Sequence, residues 1–337
     1  MADLTTKYMG IELRNPIIIG ACNLVEKTEN LKRMEEAGAG AIVYRSLFEE
    51  QIQLENLQMM EGMAEFEERN AEMSSIFPDM EHAGPEEYLN NLQKAKDSVN
   101  IPVFGSLNAI NMETWVEYAQ EIEKVGVAGI ELNLYQLPSD FEIMGKAIVS
   151  EQFDIIETVK KSVKIPIAIK LSPYYTNPLY VIKEMDKLGA DAFVLFNKLF
   201  QPEIDIDSEK LRFPYNLSHN EENRFPLRIA GLLYKNINAN ICSSRGIFTG
   251  EDVISMLLAG ADCVQVVSTL YKNKIEQVTS ILTDMERWMS GKGYKKLDDF
   301  RGKMSKENID DPFAYQRAQY VEILMNSEEI FKRYPSI

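Results

Sequence analysis

The sequence predicts an α/β fold in which eight parallel strands close into a (β/α)8 barrel, the TIM barrel. Short apolar runs rich in β-branched residues alternate with amphipathic helical segments, which is typical of a parallel sheet, and eight such units favour closure. The chain has 337 residues, more than the roughly 250 of an average barrel of this type. We therefore expect the barrel over 1–303, long βα-loop insertions within it, and a C-terminal helical extension over 304–337.

The predicted strands are apolar runs that end in small or polar residues. They are Asn15–Ala21, Ala41–Leu47, Pro102–Asn108, Gly129–Tyr135, Pro166–Ser172, Ala192–Asn197, Asn240–Ile247 and Cys263–Leu270. Helices are predicted over Lys27–Ala37, Met112–Lys124, Asp154–Val163, Pro178–Leu188 and Gly250–Leu258. Four helices are followed by a glycine, the usual residue of a left-handed C-terminal cap: Gly38, Gly126, Gly189 and Gly260.

Two stretches, 66–84 and 198–227, do not fit the strand–helix repeat. Each leaves the carboxyl end of a predicted strand, where long loops usually form the rim or lid of an active site. The tail beyond Gly302 has a helix-like apolar spacing that predicts packing on the barrel or on a neighbouring subunit. Its apolar positions are Phe313, Tyr315, Tyr320, Val321, Ile323 and Leu324.

Composition excludes several classes of function. Lys and Arg total 36 against 52 Asp and Glu, a formal net charge of −16, and such an acidic surface repels nucleic acid and anionic membranes. No apolar run approaches the ~20 residues of a membrane span, and no secretory signal pattern occurs. The cysteines Cys22, Cys242 and Cys263 form no CxxC pair, which indicates a reducing compartment without disulfides or a metal site. We expect a cytoplasmic protein.

Two strand ends late in the chain indicate a phosphate-binding site. The predicted strand Asn240–Ile247 contains Ser243-Ser244-Arg245-Gly246, and the next strand reaches Val267-Ser268-Thr269. Small hydroxyl residues, a glycine and exposed backbone amides at adjacent carboxyl ends form a cradle for phosphate. Barrels of this type often bind phosphate after their seventh and eighth strands.

Strand alternation places charged groups inside the barrel. Isoleucines alternate with Ala168, Lys170 and Ser172, so the isoleucines should lie under the helices and Lys170 should point inward, as should Glu131. Buried charges need partners or a ligand. Lys170 is therefore either a structural partner of Glu131 or a functional lysine. The amides Asn108, Asn133 and Asn197 end their strands nearby, and this set suits a planar heterocycle rich in carbonyls and ring nitrogens.

Five motifs occur in an order that resembles the dihydroorotate dehydrogenase family, in its cytosolic first class. They are Asn15-Pro16 leading into Gly20-Ala21, ELNL at 131–134, IKLSPY at 169–174, GIFTGEDV at 246–253 and GADCVQV at 260–266. The resemblance runs from about residue 4 to residue 303. It implies an FMN-dependent oxidoreductase acting on CH–CH groups.

The resemblance also implies roles for individual residues. Lys170 matches the lysine beside flavin N1 and the C2 carbonyl, where a cation stabilises the reduced cofactor. The other implied cofactor residues are Ala21, Arg45, Ser46, Asn133, Ser244, Arg245, Gly246, Ser268 and Thr269. The implied substrate residues are Asn108, Asn133 and Asn197.

The sequence departs from the family where the catalytic base should be. The family motif continues into Ser-Cys-Pro-Asn with the cysteine as base, whereas Gln136 occupies that position here and Pro138 replaces the asparagine. A carboxamide does not accept a proton usefully near neutral pH. Tyr135, Ser139 and Asp140 are alternative bases in the same loop. The only histidines, His82 and His219, lie in the irregular stretches, where a histidine is more often solvated than catalytic.

The leading hypothesis is hydride transfer between FMN and a small cyclic or pyrimidine-like substrate, with poor activity toward dihydroorotate. Two alternatives remain open, a Schiff-base aldolase that uses Lys170 and a non-catalytic flavin-binding subunit. The chain has no ferredoxin-like cysteine cluster, so an iron–sulfur centre would come from a separate redox partner. A homodimer is also expected.

Overall fold

The computed structural model describes residues 2–52, 85–134, 140–199, 201–212, 214, 217–315, 321, 324 and 325. Its strands are β1 (Thr6–Tyr8), β2 (Ile11–Leu13), β3 (Ile17–Ile19), β4 (Ala41–Phe48), β5 (Val103–Asn108), β6 (Ile130–Asn133), β7 (Ile167–Leu171), β8 (Ala192–Leu195), β9 (Glu203–Asp205), β10 (Lys210–Arg212), β11 (Asn240–Ser244) and β12 (Cys263–Val266). Eight of them form a closed parallel barrel in the order β3-β4-β5-β6-β7-β8-β11-β12. The predicted (β/α)8 fold is confirmed.

Helices surround the barrel and cover the outward side chains of its strands. They are α1 (Thr28–Glu36), α2 (Glu86–Asp97), α3 (Met112–Val125), α4 (Gly145–Ser162), α5 (Pro178–Lys187), α6 (Arg224–Leu233), α7 (Gly250–Ala259), α8 (Ser268–Asn273) and α9 (Gln277–Lys292). The four predicted cap glycines all have positive φ, between 76° and 127°. None of the helices within the described residues has the length and apolar character needed to cross a membrane.

The structure corrects several predicted element boundaries. The strand predicted over Cys263–Leu270 ends at Val266, and a short helix begins at Ser268. The helix predicted to begin at Asp154 begins nine residues earlier, at Gly145. The sequence analysis did not predict α2, α6 or α9, which complete the outer ring.

The stretch 198–227 is less irregular than predicted. The antiparallel hairpin β9–β10 lies within it, and α6 begins at Arg224. The other stretch, 66–84, lies outside the described residues. The described part of 198–227 leaves the carboxyl end of β8, and Lys198, Leu217 and Ser218 line a cavity there, so its predicted position at the rim is confirmed.

An N-terminal hairpin closes the opposite end of the barrel. Strands β1 and β2 pair antiparallel, and Tyr8, Met9 and Leu13 pack against the inward apolar residues of the barrel. The Tyr8 and Phe104 rings meet edge to face, with centroids 5.8 Å apart. The Met9 amide donates to Asn240 Oδ1 over 2.9 Å. Access to the barrel interior is therefore from the carboxyl end of the strands.

Part of the predicted C-terminal extension packs on α6. The Tyr315 hydroxyl donates to the Met304 carbonyl over 2.6 Å, and Arg228 of α6 donates to the Tyr315 carbonyl over 2.6 Å. A Cβ at Gly231 would lie 2.1 Å from the Tyr315 hydroxyl, so this contact requires glycine. Val321 and Leu324 are exposed, and Tyr320 and Ile323 lie outside the described residues. The division at residue 303 stays a prediction.

We predict that Gly20→Ala destabilises the fold by about 1–3 kcal/mol, the usual cost of overpacking. A Cβ at Gly20 would lie 2.8 Å from Val267 Cγ2 and 3.1 Å from Gln265 Oε1. Urea denaturation measures the effect. Gly145→Ala is the matched control, because its Cβ would meet nothing within 4 Å and glycine replacement at a compatible site stabilises by about 0.4–1 kcal/mol. An unchanged midpoint for Gly20→Ala would contradict the close packing at this strand end.

Candidate active site

Three polar side chains from different strands form the floor of the barrel mouth. Lys170 Nζ lies 3.2 Å from Glu131 Oε1 and 3.1 Å from Gln265 Oε1, and Gln265 Nε2 donates to Glu131 Oε2 over 2.5 Å. The Lys170 and Glu131 side chains are 11% and 2% exposed. The inward orientation predicted for both residues is confirmed, because all three groups meet inside the closed sheet.

The hydrogen bonds among Lys170, Glu131 and Gln265 form a triangle that determines where the N–H groups of Lys170 point. An ammonium group has three N–H donors and no acceptor, and two of these donors are directed at Glu131 and Gln265. Lys170 also lines the cavity at the barrel mouth. One N–H therefore remains for a ligand above the floor. Lys170 is both a structural partner of Glu131 and available to a ligand.

A cavity of about 480 Å³ lies above this floor. Its lining includes the predicted residues Ala21, Arg45, Ser46, Asn133, Lys170 and Asn197. The Asn197 amide donates to Asn133 Oδ1 over 2.8 Å, and the Ser46 and Ser106 hydroxyls lie 2.7 Å apart. The cavity wall thus presents amides and the Ser46 hydroxyl around the buried Lys170 cation, and Arg45 and Lys198 line its outer part.

An irregularity in β4 decides which side chains reach the cavity. The pairing of β4 with β5 shifts register between Val43 and Ser46, and such an extra residue changes which side chains face inward. Ser46 consequently lies opposite Ser106 inside the barrel. Arg45 instead lies at the rim, where it donates to Glu26 Oε1 over 2.9 Å and to Gln51 Oε1 over 2.7 Å.

A second cavity of about 160 Å³ adjoins the first beside β11 and β12. Ser244, Arg245, Gly246 and Ser268 line it, together with Ala21, Lys170 and Asn197, which line both cavities. The backbone at Arg245 and Gly246 has φ of 78° and 65°. Consecutive residues in unusual left-handed conformations are typical of anion-binding turns and of functional sites. Both predicted phosphate segments therefore meet at one cavity.

Gly246 is required by close packing as well as by its backbone conformation. A Cβ there would lie 2.6 Å from the Asn223 amide nitrogen and 2.8 Å from the His219 carbonyl. The Asn223 side chain donates to the Gly246 carbonyl over 3.2 Å and to Asp252 over 3.0 Å. The segment before α6 is thereby fixed against the turn that follows β11.

A cluster of two cations and one carboxylate borders the second cavity. Glu222 accepts from Arg245 Nη2 over 2.5 Å and from Lys198 Nζ over 2.7 Å. Burial would raise the pKa of Glu222, but hydrogen bonds from Lys198, Arg245 and the His219 amide lower it below the ordinary value. Glu222 therefore stays ionised and holds the Lys198 and Arg245 side chains beside the cavity.

Several predicted site residues do not reach these two cavities. Thr269 is fully buried and accepts from the Asn273 side chain over 3.2 Å. Asn108 lines a separate cavity of about 130 Å³ next to Trp115 and Gln152. Gln136, at the family's base position, lies outside the described residues, as do Tyr135, Ser139 and His82.

The described alternatives for a catalytic base are both exposed. Asp140 is exposed, and its carboxylate accepts from the Glu142 amide over 2.8 Å. His219 is also exposed and precedes the turn that carries Glu222. Neither residue lines the two cavities.

Four residues of the site were not predicted from the sequence. Gln265 follows inward-facing Cys263 by two positions, so strand alternation alone identifies it. Lys198 directly follows Asn197 and lines both cavities. Glu222 lies 24 positions further along the chain than its partner Lys198, and only the fold reveals that contact. Cys22 also lines both cavities, but burial raises the pKa of its thiol to about 11, which makes it a poor nucleophile.

The donor set fits a flat heterocycle that carries a phosphate ester. The floor supplies one cation N–H, the wall of the larger cavity supplies amides and hydroxyls, and the smaller cavity supplies serine hydroxyls and a left-handed turn. The small residue Ala21 lines both cavities, which adjoin each other. Such a ligand would contact both cavities at once.

Removal of one partner of the buried ion pair should be strongly destabilising. We predict that Lys170→Met lowers the free energy of unfolding by about 3–5 kcal/mol, because Glu131 keeps an uncompensated buried charge. The double variant Lys170→Met with Glu131→Gln should recover most of this loss. Urea denaturation of the wild type, both single variants and the double variant measures the coupling. Additive effects of the two substitutions would show that the side chains do not depend on each other.

Comparisons with known proteins point to one family over most of the chain. A family model described as dihydroorotate dehydrogenase matches residues 3–289. A protein of Methanocaldococcus jannaschii named dihydroorotate dehydrogenase B (NAD(+)), catalytic subunit, is 29% identical over 285 residues, which cover 80% of this chain and 87% of the relative. A protein of the same name from Thermoplasma acidophilum is 26% identical over 321 residues, 90% of this chain and 99% of the relative.

The family match covers most of the barrel, from the N-terminal hairpin to α9, and includes all three residues of the charged floor. The resemblance that the five sequence motifs indicated is therefore confirmed. This chain belongs to the dihydroorotate dehydrogenase family.

Proposed function

We propose that this chain is an FMN-dependent oxidoreductase that transfers hydride between FMN and a small cyclic, pyrimidine-like substrate. The observation that carries the proposal is the Lys170 ammonium, held by Glu131 and Gln265 at the floor of the cavity. A fixed cation in a site of low dielectric stabilises negative charge that develops on a bound ring. Family membership and the phosphate-compatible second cavity support the same cofactor.

When bound, FMN supplies the hydride acceptor. Lys170 would face the polar edge of its ring, and Ala21 and Ser46 would border the ring. Ser244, Arg245, Gly246 and Ser268 would hold the phosphate. Thr269 was assigned to the same phosphate segment, but its hydroxyl is already engaged inside the fold, so we assign it a packing role.

The substrate side of the site is formed by Asn133 and Asn197. Their mutual hydrogen bond of 2.8 Å leaves the Asn133 amide N–H and the Asn197 carbonyl for a ligand. One donor and one acceptor side by side match the N–H and C=O groups of a cyclic amide. Asn108 lies at another cavity, and we do not assign it to the substrate.

The Schiff-base alternative is disfavoured by the same geometry. A lysine that attacks a carbonyl must be neutral and have a free electron pair. The carboxylate of Glu131 and the carbonyl of Gln265 both accept from Lys170 and stabilise its charged form. The floor therefore engages Lys170 in an ion pair and a hydrogen bond, which does not favour its use as a nucleophile.

A non-catalytic flavin-binding subunit is the second candidate. The observation that favours it is Gln136 at the position of the family's catalytic cysteine. One experiment, the reduction of the bound flavin by cyclic amides, distinguishes the two candidates. In a catalytic subunit at least one cyclic amide reduces the flavin. A flavin that no cyclic amide reduces, although dithionite does, would favour the second.

A separate redox partner is part of the proposal. The relatives named above are catalytic subunits of NAD(+) enzymes, and the described part of this chain contains no group of three or more His, Cys, Asp or Glu side chains that could hold a metal ion. We propose that electrons leave the flavin through a second subunit. A homodimer stays a prediction.

The cofactor is expected to be FMN, bound tightly and without a covalent bond. Heat denaturation of the purified protein should release a yellow supernatant whose flavin co-elutes with FMN rather than FAD in liquid chromatography, because the second cavity accepts a terminal monophosphate. Protein that stays colourless after incubation with FMN would overturn the proposed cofactor.

Dihydroorotate should reduce the flavin poorly. Its oxidation requires removal of a C5 proton as hydride leaves C6, and general-base catalysis contributes about 10²–10⁴-fold. Gln136 cannot supply that base. In stopped-flow mixing we expect reduction by dihydroorotate to be slower by about this factor than reduction by the preferred substrate, and Gln136→Cys to recover part of the rate.

Ser150→Cys, a change on the exposed face of α4, controls for the effect of an added thiol. Rapid reduction of the wild-type flavin by dihydroorotate would contradict the prediction. Single substitutions of Tyr135, Ser139 and Asp140 would then locate the replacement base.

A further inference from the structure

Every cation that lines the larger cavity, among the described residues, is paired with a glutamate. Arg45 pairs with Glu26 at 2.9 Å, Lys170 with Glu131 at 3.2 Å and Lys198 with Glu222 at 2.7 Å. None of the three glutamates lines the cavity. Glu26 and Glu131 each balance one cation, whereas Glu222 is shared by Lys198 and Arg245 and leaves one positive charge in that cluster.

The pairing matters most at Arg45, which is the cation at the outer rim. Its guanidinium donates Nη1 to Glu26 and Nη2 to Gln51, so both terminal nitrogens already have an acceptor. Glu26 lies on the far side of Arg45, in a neighbouring cavity of about 270 Å³. An anionic substrate would have to compete with Glu26 for the same guanidinium.

Among the described residues, the remaining polar groups that line the larger cavity are neutral. Ser46 supplies a hydroxyl, and Asn133, Asn197 and Gln51 supply amides. Such groups pair with the N–H and C=O edges of an uncharged ring, whereas a carboxylate would lose its hydration without gaining an unpaired cation. The chemistry of the wall thus discriminates by charge.

We propose that the substrate is an uncharged cyclic amide, a pyrimidine-type ring without a carboxylate, and that Glu26 determines this preference by neutralising Arg45. The inference rests on the proposed function, since it concerns the substrate of the same flavin site. It predicts that removal of the Glu26 charge opens the site to anionic rings. On this proposal the substrate of this chain differs from dihydroorotate in charge, and this difference does not depend on whether a base stands at position 136.

The experiment compares two ligands that differ only in a carboxylate, uracil and orotate. Binding to the purified flavoprotein is followed by isothermal titration calorimetry and by perturbation of the flavin absorption spectrum. The wild type should bind uracil at least about tenfold more tightly than orotate. Glu26→Gln should tighten orotate binding about tenfold, the lower end of what a hydrogen bond to a charged group contributes, and leave uracil binding unchanged.

Two further variants make the result specific. Glu276→Gln breaks an Arg–Glu pair of 2.6 Å between exposed side chains elsewhere on the surface, removes the same charge, and should change neither ligand. The double variant Glu26→Gln with Arg45→Gln should lose the gain in orotate binding. Equal affinities of the wild type for both ligands, no effect of Glu26→Gln, or no binding of uracil would each overturn the proposal. If the purified protein contained no flavin, the proposed function would be refuted. Calorimetry would still measure whether uracil or orotate binds more tightly, so the two failures can be distinguished.

Discussion

The buried contact between Lys170 and Glu131 is the constraint on which the rest of the site depends. A charge inside a barrel is tolerated only when a partner and additional hydrogen bonds compensate its desolvation. Glu131 supplies the partner. Gln265 accepts a hydrogen bond from Lys170 over 3.1 Å and donates one to Glu131 over 2.5 Å. The three residues come from β7, β6 and β12, so the triangle forms only when the sheet has closed. The cation that faces the cavity is therefore a consequence of closure itself.

The layer beneath this triangle keeps water away from it. Cys242 and Cys263 are opposite each other on β11 and β12 and are fully buried, and burial raises the pKa of both thiols well above the ordinary value. Tyr8, from the N-terminal hairpin, is also buried, and its hydroxyl has no hydrogen-bond partner among the described residues. These groups stay neutral, so the side chains directly below Lys170 add no charge of their own. Electrostatic interactions with Lys170 are correspondingly strong on the only side that remains open.

Strand alternation and glycine caps were sufficient to predict the barrel, the inward orientation of Lys170 and Glu131, and the position of the phosphate segments. These features depend on local periodicity, which a single sequence carries. The register shift in β4, which turns Ser46 inward and Arg45 toward Glu26, was not predictable, because one extra residue in a strand leaves no periodic trace. The contact of Glu222 with Lys198 and Arg245 was equally hidden, since it joins three segments distant in sequence. The helix at Ser268 was mistaken for strand because the apolar run of β12 continues through Val267 and resumes at Leu270.

The cavity cations show how an acidic protein can retain a positive site. With 52 acidic and 36 basic residues, an unpaired lysine or arginine is easily neutralised by a nearby carboxylate, and Arg45, Lys170 and Lys198 each have one. The fold controls the side from which the carboxylate approaches. Glu131 lies within the barrel floor, Glu222 lies on the turn before α6, and Glu26 lies on the turn after β3, so each leaves the cavity face of its cation unobstructed. Arg45, held in this way at the partly exposed rim, keeps its position and its N–H donors but loses much of its attraction for a second anion. The wall is consequently suited to orient a neutral ring by hydrogen bonds. The part of the site best suited to a charged group is the left-handed turn at Arg245 and Gly246.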